Sequence, residues 1–368
     1  MRILYLTDNN SVHNRRFLEK LVFAGHEVWF WNLTSTKPLE NSLPDGVQAI
    51  LSAKKVDSGG SPEQYRELLP KLQSVLREVQ PALIHAGPIQ TGGYLAALAD
   101  FHPFVLMSWG SDLLMQAERN LEWRKATECA LQKADAFFCD CETVRRATNR
   151  YRVFSESQVV QFPWGVKRGM FSPEGSLPPH ELFTPKDGTT TFIHTRSFDP
   201  LYGTDILLEA FLKARSANRS LHLLLLGSGS QAQSVRMFVD ARNLGEAVSL
   251  VGPQPFDELP KWFRAADAYV SCAKSDGTSI SLLEAMATGL PVVVTDIPSN
   301  REWVTEPENG WVAPVGSPGM VAAKMLRVAK LTAQERKAIS ERNQQVVAER
   351  ADWDKNFPRL LEVYERLV

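Results

Sequence analysis

Apolar and polar positions along the chain fall into blocks of two kinds. Short apolar runs, which are typical of buried parallel strands, recur between longer stretches whose apolar residues are spaced by three and four, as in helices. The first set is an apolar run at 2–7, a helical stretch at 12–23 and a second apolar run at 27–33. A strand, a helix and a strand within about thirty residues form a βαβ unit.

The same alternation continues to the end of the chain. Further strands are predicted at 44–51, 82–86, 104–108, 136–141, 159–162, 190–194, 220–226, 248–251, 268–271 and 292–295. Further helices are predicted at 63–79, 92–99, 120–133, 203–216, 231–243, 255–265 and 280–288, followed by a long helical region at 319–368 that is interrupted near 352–358. This regularity predicts an α/β fold with parallel sheets covered by helices on both faces.

A stretch rich in proline and glycine separates the alternation into two series. It spans 173–188 and is predicted to be a linker. The chain is therefore expected to form an N-terminal Rossmann-like domain at 1–172, a C-terminal Rossmann-like domain at 189–345 and a terminal helical segment at 346–368. Because doubly wound sheets bind ligands at the carboxyl ends of their strands, the predicted site lies in a cleft between the two domains.

Composition narrows the class of protein. The 368 residues are 44% apolar and 23% charged, as in soluble globular proteins, and the net charge of −1 provides no field that would recruit nucleic acid. No apolar run reaches the roughly 18–20 residues of a membrane span. The four cysteines (Cys129, Cys139, Cys141 and Cys272) form no Cys-x-x-Cys pair, which predicts reduced thiols in the cytoplasm.

The most informative stretch is 275–291, which carries a carboxylate at each end of a small-residue loop. Asp276 and Glu284 have seven residues between them, and the loop contains Gly277, Thr278 and Ser279. A helix that begins near Ile280 would direct its positive end at the same place, which suits a phosphate. Carboxylates on both sides of an anion site indicate a nucleotide-sugar. An ordinary β–α turn with a solvated aspartate and glutamate is the alternative.

Two other strand-end loops carry candidate chemistry. Arg196 follows the strand at 190–194 and is a candidate for neutralising a diphosphate, or else a surface arginine. Gly227, Gly229 and Ala232 match a dinucleotide fingerprint. The next strand lacks the expected terminal acid, so the glycines indicate NAD binding, a close loop beside another nucleotide, or a tight turn.

The remaining candidates are histidines and arginines. His13 and His85 lie on presumed cleft loops, where they would act as acid/base groups or bind sugar hydroxyls; helix capping and core packing are the alternatives. None of the seven histidines has metal-ligand spacing to another ligand, so no metal site is predicted. A basic run would contact anionic lipid or an anionic acceptor, or would form a solvated helix face; its members are Arg145, Arg146, Arg150 and Arg152.

The second half of the chain resembles the retaining nucleotide-sugar glycosyltransferases of family 4, which have the GT-B architecture. The matching residues are, in order, Arg196, Gly203, 207–211 (Leu-Leu-Glu-Ala-Phe), 225–229, 250–252, 259–267, 275–291, Glu302 and 309–311. The first half matches more loosely, at 25–28, 109–112 and 163–166. The tail at 353–364 resembles the last helix of the family, which crosses back to the N-terminal domain.

The chain departs from the family pattern in four places, one of which is Asn9-Asn10-Ser11, where the family often has a Gly-Gly loop after the first strand. The usual motif is Glu-x7-Glu, but the first position here is Asp276, which is one methylene shorter. Tyr202 stands where the family usually has a lysine beside the diphosphate. Gly87 replaces the second histidine of a frequent His-x-His, so that only His85 remains. These departures concern the sugar, the diphosphate and the acceptor.

The resemblance implies a role for each matched position. Glu284 would hold the nucleotide ribose and Asp276 the hydroxyls of the donor sugar. Arg196, with the hydroxyls of Thr278 and Ser279 and the helix N–H groups, would stabilise the leaving diphosphate. Other donor-site residues are expected to be Gly277, Ile280, Gly227 and Tyr202.

The implied function is a retaining glycosyltransferase with a front-face mechanism. It would move a hexose-type sugar from a nucleoside-diphosphate sugar, with uridine in preference to guanosine, to an acceptor hydroxyl, and would need neither a metal nor a cofactor. The acceptor stays open between a glycan, a lipid-linked sugar and a small molecule. Nucleic acid is not expected as a partner, and peripheral contact with the inner membrane face stays open. The alternatives are a nucleotide-sugar epimerase, a phosphorylase, and a non-catalytic partner that binds a nucleotide-sugar.

Overall fold

The computed structural model describes residues 1–9, 11–36, 43–52, 54, 56–57, 59–180, 182–183 and 187–368. Within this part the chain divides into two compact units. The N-terminal unit comprises Met1–Phe162 and Lys355–Val368, and the C-terminal unit comprises Pro163–Asp354.

A seven-stranded parallel sheet forms the centre of the N-terminal unit. The strands are β1 (Arg2–Thr7), β2 (Glu27–Asn32), β3 (Val47–Ile50), β4 (Leu83–Ala86), β5 (Phe104–Met107), β6 (Ala136–Cys139) and β7 (Val159–Gln161). The helices between them are α1 (Val12–Phe23), α2 (Pro62–Arg66), α3 (Leu69–Val79), α4 (Tyr94–Ala99), α5 (Leu121–Lys133) and α6 (Glu142–Ala147). The strand order β3-β2-β1-β4-β5-β6-β7 is that of a doubly wound fold.

The C-terminal unit repeats this architecture with six strands. They are β8 (Thr190–His194), β9 (Leu221–Leu225), β10 (Val248–Leu250), β11 (Ala268–Ser271), β12 (Val292–Thr295) and β13 (Gly310–Ala313), in the order β10-β9-β8-β11-β12-β13. The helices are α7 (Thr204–Ala217), α8 (Ala232–Ala241), α9 (Leu259–Arg264), α10 (Ile280–Ala287), α11 (Pro298–Arg301), α12 (Pro318–Ala329) and α13 (Ala333–Arg350). The short helix α14 (Trp353–Asn356) has its first two residues in this unit and its last two in the N-terminal unit. A last helix, α15 (Pro358–Leu367), belongs to the N-terminal unit.

The central strands β8 and β9 of the C-terminal sheet are covered on both faces. Phe192 of β8 packs into the apolar cluster that contains α7 and α12, whereas its neighbour Ile193 packs into the cluster that contains α9 and α10. The same alternation holds for Leu223 and Leu224 of β9. Because successive side chains of a strand point to opposite faces, a continuous apolar run marks a strand buried on both. The predicted α/β fold with two Rossmann-like domains is confirmed.

Several elements differ from their prediction, among them α6 and α11, for which no helix was predicted. The single helix expected at 63–79 is divided into α2 and α3, because Pro70 lies in the first turn of α3 and its ring cannot continue a helix that comes from α2. β13 was not predicted, because it has only four residues and begins at Gly310, which signals a turn rather than a strand.

The division between the units falls ahead of the linker that composition indicates. Residues 163–176 are bonded into the C-terminal unit: the Val166 N–H donates to the Ala351 carbonyl at 2.7 Å, and the Arg264 guanidinium donates to the Ser172 and Met170 carbonyls at 2.9 Å each. Phe171 packs against the rings of Phe256 and Phe263. Proline and glycine therefore mark a fixed loop there. Within the predicted linker 173–188, residues 181 and 184–186 lie outside the described part.

Candidate functional site

The predicted donor-site residues of the C-terminal unit lie on loops that follow neighbouring strands. β8 and β11 are adjacent in the sheet, so the loop after His194 and the loop after Ser271 leave the same edge side by side. The first loop carries Arg196 and Tyr202, and the second carries Asp276. This topology brings together residues that are about eighty positions apart in the sequence.

Arg196 is the centre of this arrangement. Its Nη2 lies 2.7 Å from Oδ2 of Asp276, and its Nη1 donates to Ser279 Oγ at 2.9 Å and to Ser281 Oγ at 3.4 Å. The carbon at the centre of the guanidinium lies 4.2 Å from the centroid of the Tyr202 ring, close enough for a cation–π contact. Four side chains therefore fix the position of one cation.

Burial makes the charges in this network interact strongly. The Arg196 and Asp276 side chains are 13% and 18% exposed. Burial raises the pKa of Asp276, while Arg196 and the N–H of Gly277 oppose that rise. Burial works against the charge of Arg196 as well, but the Asp276 carboxylate, with smaller contributions from Tyr202 and Tyr269, keeps the pKa of the guanidinium above its usual range. The arginine stays a cation at any pH at which the protein is folded.

Helix α10 adds a positive end to the same place. Ser279 is its N-cap and accepts from the N–H of Leu282 at 3.4 Å, so that its hydroxyl joins the helix to Arg196. Gly277, Thr278 and Ile280 are buried beside this cap. N–H groups of the first helical turn have no partner within the helix, which is what makes such an end attractive to phosphate.

Glu284 lies on the same helix and is also buried, at 5% exposure. All eight residues of α10 are buried, which is unusual for a helix that carries a carboxylate in its middle turn. The helix thus holds Glu284 on a rigid element that Ser279 connects to Arg196. The structure therefore connects Glu284, Ser279 and Arg196 through one helix. The roles of these residues stay predictions.

The sequence did not reveal Tyr269, which the structure adds to the network. Its hydroxyl lies 2.8 Å from Ser281 Oγ, and Ser281 Oγ lies 3.1 Å from Ser279 Oγ. Tyr269 is buried in the middle of β11. A tyrosine inside a predicted core strand is the only sequence signal, since a buried hydroxyl needs a partner.

The Gly-x-Gly segment supports the loop that carries Arg196. A Cβ on Gly227 would overlap the Arg196 carbonyl oxygen, and one on Gly229 would lie 2.8 Å from the carbonyl carbon of Phe198. The Phe198 N–H donates to the Ser228 carbonyl at 2.9 Å, and the Gln231 N–H donates to the Phe198 carbonyl at 2.8 Å. The geometry fits the close-loop interpretation, in which the missing side chains let two loops touch.

Gly203 holds the other end of the Arg196 loop and provides a test of it. Its φ is +63°, and a Cβ would overlap the Cys272 carbonyl oxygen. Gly203→Ala is therefore expected to lower the free energy of unfolding by about 2–4 kcal/mol. Urea unfolding followed by tryptophan fluorescence measures this. Gly245→Ala is the matched control, because its Cβ would meet no heavy atom within 4 Å; equal effects of both changes would contradict the packing described.

His85 lies in the core of the N-terminal unit. It is on β4 between β1 and β5, fully buried, and its Nδ1 is hydrogen bonded to the Tyr364 hydroxyl. The Tyr5 ring centroid is 4.9 Å from its own. This environment matches the packing alternative, and it corrects the expectation that His85 lies on an open loop: the histidine is the third of four strand residues.

Burial lowers the pKa of His85 to about 3, so its imidazole is neutral over the working range of the protein. The unfolded state then binds more protons than the folded state between pH 3 and about 6.5, and stability decreases as the pH falls through that window. Histidine-selective NMR, with His85→Phe to assign the signal, is expected to show no shift change for His85 from pH 8 to pH 5. Titration near pH 6.5 would contradict the buried placement.

His13 and two carboxylates lie at the carboxyl edge of the N-terminal sheet. His13 is the second residue of α1, with its ring centroid 6.1 Å from that of Trp109. Asp8 follows β1 directly, and burial raises its pKa to about 6. Burial also raises the pKa of Asp112, which accepts from Ser108 Oγ at 2.6 Å. The two aspartates were not singled out, although a carboxylate at a strand end is a recognisable signal.

Three arginines of the basic run, Arg145, Arg146 and Arg152, have protein partners. Arg146 Nε lies 2.7 Å from Oε1 of Glu142, and Arg145 contacts both Glu142 and Glu156. Arg152 donates to the Ala134 carbonyl at 2.7 Å and to two further carbonyls at the end of α5. Glu142, three and four residues before the first arginines, forms the pairs expected on one helix face.

Each of the two units matches a family of known proteins. The family described as "Glycosyl transferase 4-like" matches residues 2–141, and the family described as "Glycosyl transferases group 1" matches residues 181–346. The chain belongs to the glycosyltransferases of the GT-B type. The two matches together include every strand of both sheets except β7.

Relatives and solved structures agree with this assignment. An uncharacterized glycosyltransferase of Methanocaldococcus jannaschii is 23% identical over 265 residues, which cover 72% of this chain and 69% of that protein. Phosphatidyl-myo-inositol mannosyltransferase of Mycobacterium tuberculosis is 28% identical, over 58% of this chain and 55% of that enzyme. The chain thus spans only about half of the mycobacterial relative.

The fold similarity covers the whole chain. Sucrose-phosphate synthase from Thermosynechococcus elongatus has a TM-score of 0.86 at 16% identity, over 100% of this glycosyltransferase and 99% of that chain. HepE of Anabaena, solved in complex with UDP and glucose, has a TM-score of 0.79 at 16% identity, over 99% of both chains. No helix in the described part of the glycosyltransferase is long and apolar enough to cross a membrane.

Proposed function

We propose that this glycosyltransferase transfers a hexose-type sugar from a nucleoside-diphosphate sugar to an acceptor hydroxyl with retention of configuration. The observation that carries the proposal is the position of Arg196. It is a buried cation, held between Asp276 and the capped start of α10, at the edge of the sheet where doubly wound folds bind nucleotides. Such a group is suited to the charge that develops on a leaving diphosphate.

The donor is assigned to the C-terminal unit. Glu284 binds the ribose hydroxyls and Asp276 the hydroxyls of the sugar. The diphosphate lies against Arg196, the hydroxyls of Thr278 and Ser279, and the N–H groups at Gly277 and Ile280. Gly227 and Tyr202 shape the loop that presents Arg196. Uridine is proposed as the nucleoside, and HepE of Anabaena, which was solved with UDP, supports that choice by analogy.

The reaction is proposed to take place on one face of the sugar. The bond from C1 to the phosphate oxygen breaks, and its electron pair passes to the diphosphate, where Arg196 stabilises it. The acceptor oxygen forms the new bond to C1 from the same side, and its proton passes to the leaving phosphate oxygen. Asp276 is assigned to the hydroxyls of the sugar rather than to C1, so the proposal is a front-face route and not a double displacement.

The proposal needs no metal, because Arg196 and the start of α10 supply positive charge at the diphosphate. The acceptor is a glycan, a lipid-linked sugar or a small molecule, and His13 is assigned to its binding in the N-terminal unit. His85 is left out of the chemistry, since it lies inside the sheet. The reaction is placed in the cytoplasm, which suits four cysteines that form no disulfide among the described residues.

A donor screen followed by product analysis tests the proposal. Thermal unfolding with UDP, GDP and their hexose conjugates identifies the bound nucleotide, because a ligand of the folded state raises the melting temperature. Release of that nucleotide is then measured with pooled glycan, lipid-linked and small-molecule acceptors, and NMR gives the anomeric configuration of the product. Binding without release for any acceptor would indicate a non-catalytic partner, and an inverted product would refute the front-face route.

A further inference from the structure

Two side chains of the donor site form an ion pair with each other, although the proposed function assigns them to different parts of the donor. Asp276 is to bind sugar hydroxyls and Arg196 the diphosphate, yet Nη2 of Arg196 lies 2.7 Å from the Asp276 carboxylate. The guanidinium is therefore already neutralised. A diphosphate that approaches it meets a carboxylate of its own charge a few ångströms away, and like charges at that distance repel.

Tyr202 explains how the guanidinium keeps its place when its partner changes. Its ring lies 4.2 Å from the guanidinium carbon, and Ser279 Oγ accepts from Nη1 at 2.9 Å. The serine contact uses Nη1, whereas the ion pair with Asp276 uses Nη2, and the ring lies against the guanidinium as a whole. The ring and the serine can therefore hold the arginine while Nη2 exchanges one anion for another.

We propose that Asp276 is an internal counter-anion of Arg196 which the diphosphate displaces, and that the ring of Tyr202 positions the guanidinium during the exchange. This inference rests on the proposed function. The displaced carboxylate is then free to accept from the sugar hydroxyls. After transfer the sugar has left, and the carboxylate returns to Arg196 and competes with the nucleoside diphosphate, which favours product release.

If the diphosphate displaces Asp276, removing the charge of residue 276 is expected to strengthen nucleotide binding but to lower turnover. Without its charge, residue 276 no longer competes for Arg196, so the free nucleoside diphosphate binds more tightly. The same change weakens the contact with the sugar, so turnover falls. Damage to the fold would lower both the affinity for the nucleotide and the turnover. A gain in nucleotide affinity is therefore the diagnostic result.

The experiment titrates UDP, GDP and ADP calorimetrically into the 368-residue protein and uses the nucleotide that binds most tightly. Asp276→Asn, with Asp276→Ser as a second variant, is expected to lower its Kd by about 3- to 10-fold. The Kd of the corresponding nucleoside, which has no phosphate, is expected to stay the same. Asp296→Asn is the matched control, because Asp296 pairs with Arg301 on the surface of the same unit.

Tyr202 is tested with the same nucleotide. Tyr202→Leu, which removes the aromatic face, is expected to raise the Kd by about 2- to 20-fold, whereas Tyr202→Phe, which keeps the face, stays within about twofold of wild type. Because Tyr202 acts through Arg196, the loss for Tyr202→Leu should disappear when Arg196 is also replaced by alanine.

The outcomes separate this inference from the proposed function. A nucleotide that binds wild type but binds Asp276→Asn with equal or lower affinity overturns the counter-anion role. Equal losses for Tyr202→Phe and Tyr202→Leu overturn the positioning role of the ring. If none of the three nucleotides binds wild type, the proposed function fails and this inference fails with it.

Discussion

Replacing Glu284 by alanine is expected to lower kcat/KM for the donor by about 100-fold or more. A carboxylate that accepts from two ribose hydroxyls makes charge-assisted hydrogen bonds of about 1.5–3 kcal/mol each, and alanine provides neither. The initial rate of nucleotide release, measured over a range of donor concentrations, gives kcat and KM separately. Turnover like that of wild type would rule out the assignment of Glu284 to the donor.

Two controls separate binding from folding in that experiment. Glu284 is buried on a helix that is buried throughout, so alanine also leaves a cavity. Glu284→Gln keeps the volume and removes only the charge, and it is expected to show most of the loss with a thermal unfolding midpoint near that of wild type. Glu209→Ala, at an exposed position of α7, is expected to leave both activity and stability within error.

Replacing Arg196 by alanine is expected to lower kcat by about 100- to 1,000-fold, as the loss of one positioned donor to a developing anion does in other enzymes. The substrate brings the same diphosphate charge in the ground state, so KM also rises, but less. Arg196→Lys should recover part of the rate, because an ammonium keeps the charge but cannot bond to Asp276 and Ser279 in one plane.

The control for Arg196 takes account of the carboxylate left behind. Without the arginine, Asp276 is a buried, uncompensated acid, so the single variant is expected to lose stability as well as rate. The double variant Arg196→Ala with Asp276→Asn should regain stability but not rate. Arg301→Ala removes an arginine from a surface pair with Asp296 and should change neither; a rate for Arg196→Ala within threefold of wild type would refute its role.

Much of the fold could be predicted because each strand and helix is marked by a pattern in its own short stretch of sequence. A strand buried on both faces, such as β5 or β11, appears as an apolar run with turn residues at each end. The order of the strands is not local, but alternation of strand and helix leaves few topologies. The domain boundary was harder to place, since proline and glycine mark any loop. Contacts such as those of Arg264 show that the stretch is bonded to one unit.

The candidate site was predicted residue by residue but not contact by contact. Arg196 and Asp276 were each chosen for position after a strand, and the adjacency of β8 and β11 turns those separate choices into a salt bridge. Tyr202 was recognised as a departure, but its stacking on Arg196 depends on the fold of the loop. His85 shows the limit of such reasoning, because it lies one residue before the end of β4 and is therefore inside the sheet. A residue just after the strand end would lie at the edge of the sheet that binds ligands.

The return of α15 to the N-terminal unit has a consequence for the order in which the protein is made. Tyr364 is fully buried and bonded to His85, and the Phe357 ring lies 5.9 Å from that of Phe17. When residues 1–162 have been synthesised, the core of the N-terminal sheet therefore still lacks Phe357 and Tyr364. The C-terminal unit must emerge in full before those partners arrive. The first unit to be translated is thus the last to be completed.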